Sequence, residues 1–307
     1  MTVRMMIALL FIVPAAMAYP WETTGRRWIL AAAIAVVVVL FAWWRGLFVT
    51  DIVGRMVAVW RRNHSTPRPV ASNEATVLLR VDDPAGVGLS LPLVAGYVER
   101  FGVRCQKVRV TSRDQAGART TWISMTIDAA ENLAALQARS PELPLLATTE
   151  VVGRRLADHL REAGLDAVLV DAVDPPAGPG REAWRGVRDE HGFASAYEIP
   201  IDDRLGERLA EIWSRPTETW TALEFSGTST RPTVAAVCAV RTAEPVRGEP
   251  LPGLVAQPGV QRPILDALDP RNAGRFEVPS SPMPSGLLAW VSWPAGSALA
   301  TRTSTQT

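Results

Sequence analysis

Lysine is almost absent from this chain, Lys107 being its single instance, and cysteine and histidine are nearly as scarce, at two and three residues. Two cysteines far apart, Cys105 and Cys238, without a CxxC or similar spacing, suggest neither a disulfide framework nor a zinc site. They read as buried or free thiols in a reducing compartment. The histidines His64, His159 and His191 do not pair at metal-ligand spacing. No GxxxxGK[ST] loop is present to cradle a nucleotide phosphate. Gly86-Val-Gly88 lacks the third glycine of a dinucleotide loop, and Ser226 is not in a nucleophile-elbow pattern. A formal net charge of +1 supplies no field to hold the chain on nucleic acid. No cofactor and no metal are expected.

What the sequence does have is apolar mass. At 307 residues and 48% hydrophobic it can build a substantial core, and 21% charge argues against global disorder. Two uncharged runs of 17 residues, Met5 to Trp21 and Trp28 to Trp44, stand within the first fifty positions. As helices each covers about 25 Å, the short end of a membrane crossing. Aromatic residues that favour the headgroup level sit at their ends, namely Tyr19, Trp21, Trp28, Trp43 and Trp44, followed by Arg45. Residues 1–46 therefore read as a two-pass hairpin, with Trp21, Trp28, Trp43, Trp44 and Arg45 as membrane-interface anchors. The first run also fits a cleavable signal peptide ending at Ala16-Met17-Ala18. Arginines concentrate after the second run, at Arg45, Arg55, Arg61, Arg62 and Arg68, so under either reading the bulk of the chain is expected in the cytoplasm.

Residues 47–63 carry Val49, Ile52, Val53, Met56, Val59 and Trp60 at helical spacing, which predicts an amphipathic juxtamembrane helix. It could lie on anionic lipid of the inner leaflet or dock on a partner's helix. Pro67 and Pro69 mark 64–73 as a linker. From 74 to 295 the pattern predicts a cytosolic α/β (α+β) domain. Strands are expected near 77–81, 103–111, 120–127 and 167–170, with helices over 89–101, 129–138 and 150–163. After a Pro- and Gly-rich connection at 174–180, a strand near 194–199, a helix over 203–213 and strands at 219–225 and 233–240 follow. Each half can be read as strand, helix, strand, strand. Two similar halves are one architecture this order permits, although no residue identities match between them. The Pro-rich segment 243–285 should be extended apart from a short helix around 264–268, with a last strand at 287–293 and a loose tail at 296–307.

Acidic pairs at predicted strand ends, Asp82-Asp83, Asp202-Asp203 and Asp171 with Asp174, could serve acid–base work, and equally they suit turns and caps. Most of the soluble-domain tryptophans should be core. Trp184, within the charged run Arg181 to Arg185, and Trp60 are the candidate partner contacts.

The hairpin, the Arg26-Arg27-Trp28 opening of its second run, the basic segment ending Trp60-Arg61-Arg62-Asn63 and the domain carrying Glu182-Ala183-Trp184 together resemble the EccE family of mycobacterial type VII (ESX) secretion machines. The length is similar to its shorter members, such as that of the iron-linked third ESX system. The resemblance covers essentially the whole chain in architecture. It implies a non-catalytic structural subunit of an inner-membrane core complex, with EccB, EccC and EccD as partners and EccC supplying the ATPase. It brings no catalytic motif. The rival readings are a membrane-tethered transferase using a strand-end aspartate and a membrane-anchored small-molecule sensor.

Overall fold

The structure is a computed structural model that describes residues 2–20, 23–41, 43–44, 47–64, 73–246, 248, 250–284 and 286–296. The chain divides into two compact units, Met1–Thr66 and Pro67–Thr307. Most of the expected linker 64–73 and tail 296–307 lie outside the described residues, as do Trp21 and Arg45.

In the first unit, helices α1 (Thr2–Met17) and α2 (Thr24–Phe41) lie side by side. Small residues allow the approach: Ala8, Ala15 and Ala33 are buried. Around that seam the helices turn apolar side chains outward, Met6, Leu10, Phe11, Trp28 and Ile34 among them. Helices of 16 and 18 residues stand where the two-pass membrane hairpin was expected, and Arg26 and Arg27 occupy the first turn of α2. Among the described residues no helix is long and apolar enough to cross a membrane. A two-residue antiparallel pair, β1 (Trp43–Trp44) with β2 (Leu47–Phe48), leads into α3 (Val49–His64), where the expected amphipathic helix forms.

The second unit is organised by one long antiparallel sheet. In chain order its elements are β3 (Glu74–Asp82), α4 (Leu91–Ala95), the small hairpin β4 (Glu99–Arg100) and β5 (Val103–Arg104), β6 (Lys107–Gln115) and β7 (Ala118–Asp128). There follow α5 (Leu133–Gln137), α6 (Leu145–Glu162), β8 (Asp166–Leu169), β9 (Arg181–Ala183), β10 (Gly186–Asp189) and β11 (Gly192–Glu198). The chain ends with α7 (Leu205–Trp213), β12 (Thr219–Gly227), β13 (Pro232–Thr242), β14 (Val255–Ala256), α8 (Gln261–Leu268), β15 (Ser281–Pro282) and α9 (Leu287–Trp290). The sheet runs β8-β3-β7-β6-β12-β13-β11-β10-β9, with β14 added to β11 and β15 to β13. The order β3, α4, β6, β7 thus recurs as β11, α7, β12, β13, and the two sets meet back to back at the β6–β12 pairing.

Because side chains alternate across a strand, each strand feeds two layers. One layer holds Leu79, Val110, Met125, Leu223 and Cys238, closed by Leu91 and Val94 of α4, Leu156 and Leu160 of α6, and Leu205 and Leu209 of α7. The other holds Leu78, Trp122, Trp220, Ala222 and Val237, closed by Ile264 and Leu268 of α8 and by Phe276. Gly153 lets α6 come down onto β3. A Cβ there would meet Val77 Cγ2 at 2.9 Å, which outweighs glycine's poor helix propensity of ~1 kcal/mol.

Four sequence expectations change. The helix expected over 89–101 ends early and gives way to β4 and β5, because Phe101 and Gly102 make a turn. The strand expected buried at 167–170 is the sheet's edge, so Val168 and Leu169 are exposed. The helix expected over 129–138 is only the short α5, since Asp128 accepts the amides of Ala130 and Glu131 and holds them in a turn. The strand expected at 287–293 is instead α9 followed by a single bridge from Trp293 to Leu89; Pro294 has no amide to extend a ladder. The Pro-rich segment is mostly irregular and contributes α8 as its one sizeable helix.

Both cysteines are buried in the same apolar layer, and burial pushes each thiol up to about 12. Neither is expected to react with an alkylating reagent in the native protein, whereas both should react in denaturant; counting modified cysteines by mass spectrometry under the two conditions checks this.

Candidate functional site

The acidic pairs do not converge. Asp83 accepts the amides of Val87 at 3.0 Å and Gly88 at 2.7 Å, so it shapes the Gly86-Val87-Gly88 turn. Asp82 pairs with Arg80. Asp202 is held by Arg208 at 2.6 and 2.9 Å, and these hydrogen bonds keep its carboxyl below the usual carboxylate range. Asp174 is almost fully exposed at the limit of reach of Arg113, and Asp171 is exposed. Among the described residues no group of three or more His, Cys, Asp or Glu is placed to hold a metal ion.

The charge that does converge is buried, and spacing along the sequence does not reveal it. On the face of the sheet under α8, Arg109 of β6 stands directly opposite Glu224 of β12. Both side chains are inaccessible to solvent, and Arg109 Nη2 donates to Glu224 Oε2 at 2.5 Å. The remaining guanidinium hydrogens go to the carbonyls of Ala267 and Gly274, and the ring of Phe276 lies 4.1 Å from the guanidinium carbon. Arg275 reaches Glu224 from the rim at 3.3 Å and donates to Ser226 Oγ at 2.6 Å. Lys107, two residues along β6, donates to the carbonyls of Asn272 and Gly274 at 2.6 and 2.5 Å. These side chains of the sheet clasp the strap that follows α8. Burial, with Arg109 beside it, pulls Lys107 down to about 6.

Glu182-Ala183-Trp184 performs a related task. Glu182 is buried and accepts the amide of Arg262, and the carbonyl of Trp184 accepts the amide of Gly259, so the β9–β10 turn seats the start of α8. Trp184 itself is half-buried. Of the other sequence-chosen residues, Trp28 and Trp60 are exposed within their unit, and Trp43 and Trp44 form β1, of which only the backbone is described. Trp60 stacks on His64 and continues an exposed stripe on α3 with Val53, Met56 and Val57. Trp122 and Trp220 stack face to face with centroids 5.6 Å apart, and Trp293 Nε1 donates to Ser112 Oγ, so these three belong to the core.

The class defined by these features is an antiparallel α/β domain with an apolar helical hairpin ahead of it in the chain, its buried charges engaged in holding its own strap. A family profile described as type VII ESX secretion system translocon, EccE, matches residues 115–199. The chain is 50% identical over 289 residues to the ESX-3 secretion system protein EccE3 of Mycolicibacterium smegmatis, with 93% of each chain covered. It is 43% identical over 311 residues to the protein of the same name from Mycobacterium tuberculosis, covering 97% of this chain and 94% of that one. The chain belongs to the EccE family and is an ESX-3-like member of it.

Two outcomes follow from the buried cluster. Glu224→Gln leaves Arg109 charged in a closed site and is expected to lower unfolding stability by ~3–5 kcal/mol, read from denaturant midpoints. The unfolded chain keeps the Lys107 proton up to about 10.5, while the folded chain gives it up near 6, so the unfolded state binds more protons between those values. Stability should accordingly rise with pH through that window, by at most ~1.4 kcal/mol per pH unit, and Lys107→Met should remove this part of the rise.

Proposed function

We propose that this chain is a non-catalytic structural subunit of an inner-membrane type VII secretion core. Residues 1–46 act as a two-pass membrane hairpin, and residues 74–295 form a cytoplasmic domain that binds other core proteins, with EccB, EccC and EccD as the partners. The observation that carries this reading is end-to-end similarity to proteins named as ESX-3 secretion system components. Further support comes from the first unit, whose helices expose apolar side chains on all sides of their seam. Such a surface calls for lipid or a partner rather than water. Trp28 near the start of α2 suits the headgroup level, and the exposed stripe of α3 with Trp60 suits the membrane face or a neighbouring helix. Asp82, Asp83 and Asp202 are engaged in turns and ion pairs, which fits a scaffold.

The tagged protein, extracted in mild detergent from native membranes, is expected to run on a native gel in a large assembly containing an ATPase and a many-spanning membrane protein by mass spectrometry. Recovery alone or as a small oligomer would count against the scaffold and favour a tethered enzyme or sensor. Asp82→Ala, Asp171→Ala and Asp202→Ala should each leave secretion intact; loss of secretion in a stable, fully assembled variant would contradict the non-catalytic role.

A further inference from the structure

One aromatic side chain of the second unit is exposed at an energetic cost. The turn between β4 and β5 has Phe101 and Gly102 at its centre, both with positive φ, 57° and 72°. Asparagine-glycine suits such a turn, whereas a bulky aromatic at the first position is strained by ~1–3 kcal/mol. The conformation holds Phe101 out from the core, 47% exposed. Two guanidinium groups lie against its ring: Arg100 from its own hairpin, at 5.1 Å from the ring centroid, and Arg155 from α6, at 4.6 Å. Arg100 also covers Tyr97 at 4.9 Å, and Tyr97 is anchored by its hydroxyl to His159 Nδ1 at 2.6 Å, so the platform beneath the pair is fixed.

Neither arginine has a carboxylate within ion-pair reach among the described residues. Of the carboxylates on the same stretch of α6, Asp158 is engaged by Arg161 at 2.7 Å and Glu150 by Arg154 at 2.9 Å. Beside the turn a groove of ≈ 260 Å³ runs past Gly102 and Val103 to Ala134 and Ala135 of α5; its polar lining includes Glu99, which accepts from Ser229, and Glu131, which pairs with Arg104. Strained, exposed aromatics flanked by planar cations have the composition of an interface anchor, and unpaired guanidiniums are suited to bidentate carboxylates.

We propose that the β4–β5 turn is a docking surface for an acidic segment of a partner protein. A partner carboxylate sits against Arg100 and Arg155, and an adjoining apolar side chain lies on Phe101. This rests on the reading of the domain as a protein-binding scaffold and names the surface that does the binding.

The test is recovery of partners with the full-length tagged protein from native membranes, comparing wild type, Phe101→Asn, the double charge reversal Arg100→Glu with Arg155→Glu, and a distant exposed control, Val255→Ser. Phe101→Asn relieves the turn, so its Tm should equal or exceed that of wild type, while partner recovery falls about tenfold or more. The charge reversal should lower recovery to a similar extent at low salt, and Val255→Ser should lower neither. If wild type assembles and both turn variants assemble equally well, the docking surface is wrong and the scaffold reading stands. If wild type recovers no partner, both fall together. If partner recovery is unchanged and the charge reversal instead lowers the anionic lipid that co-purifies with the protein, the surface serves lipid and the proposal is overturned.

Discussion

The pairing of Arg109 with Glu224 is the constraint around which the second unit is arranged. These residues face each other across β6 and β12, the pairing at which the two strand sets of the sheet become one. An ion pair with no access to water earns little or no net stability over apolar residues of the same shape, since desolvation offsets the attraction. What it confers here is specificity. A slip of one residue between the strands would turn Arg109 from the layer holding its carboxylate and carbonyl partners into the opposite, largely aliphatic layer. The same cluster ties down the strap after α8, because the guanidinium hydrogens left over from Glu224, and those of Lys107 Nζ, need acceptors that only backbone carbonyls supply.

The fold therefore divides its labour by face. One side of the sheet is closed by α4, α6 and α7 through aliphatic packing. The other is closed by α8 and its strap through tryptophan stacking and buried polar bonds. The Glu182-Ala183-Trp184 segment contributes to the second closure by seating the start of α8. Charge inside the domain is spent on assembly of the domain. The groups that remain available to others are at the margins: the edge strand β8, the strained Phe101 turn, and in the first unit the outward faces of α1 to α3.

Much of the element order was legible in the sequence, because strand alternation and helical spacing are local signals. β6 and β7 fall where Val, Thr and Ile alternate with other residue types, β12 and β13 are short apolar-rich runs between turns, and α6 and α7 follow their apolar spacing closely. Periodicity was misleading where one residue's backbone overrode it. Phe101 breaks an apolar helical pattern by adopting a left-handed conformation that glycine or asparagine would have announced. The β9–β10 hairpin was hidden because its turn, Trp184-Arg185, carries no glycine or asparagine signal.

The sequence by itself determined the apolar N-terminal runs, the amphipathic α3, the α/β character of the rest and the family, since each is written in residue type and spacing. Only the tertiary structure decided that the single lysine and an arginine of β6 share one closed site with a glutamate of β12, and that the acidic pairs do not converge. Strand register brings residues 115 positions apart into direct contact, as at Arg109 and Glu224, and no local pattern encodes that register; it emerges from burying two faces of one sheet at once.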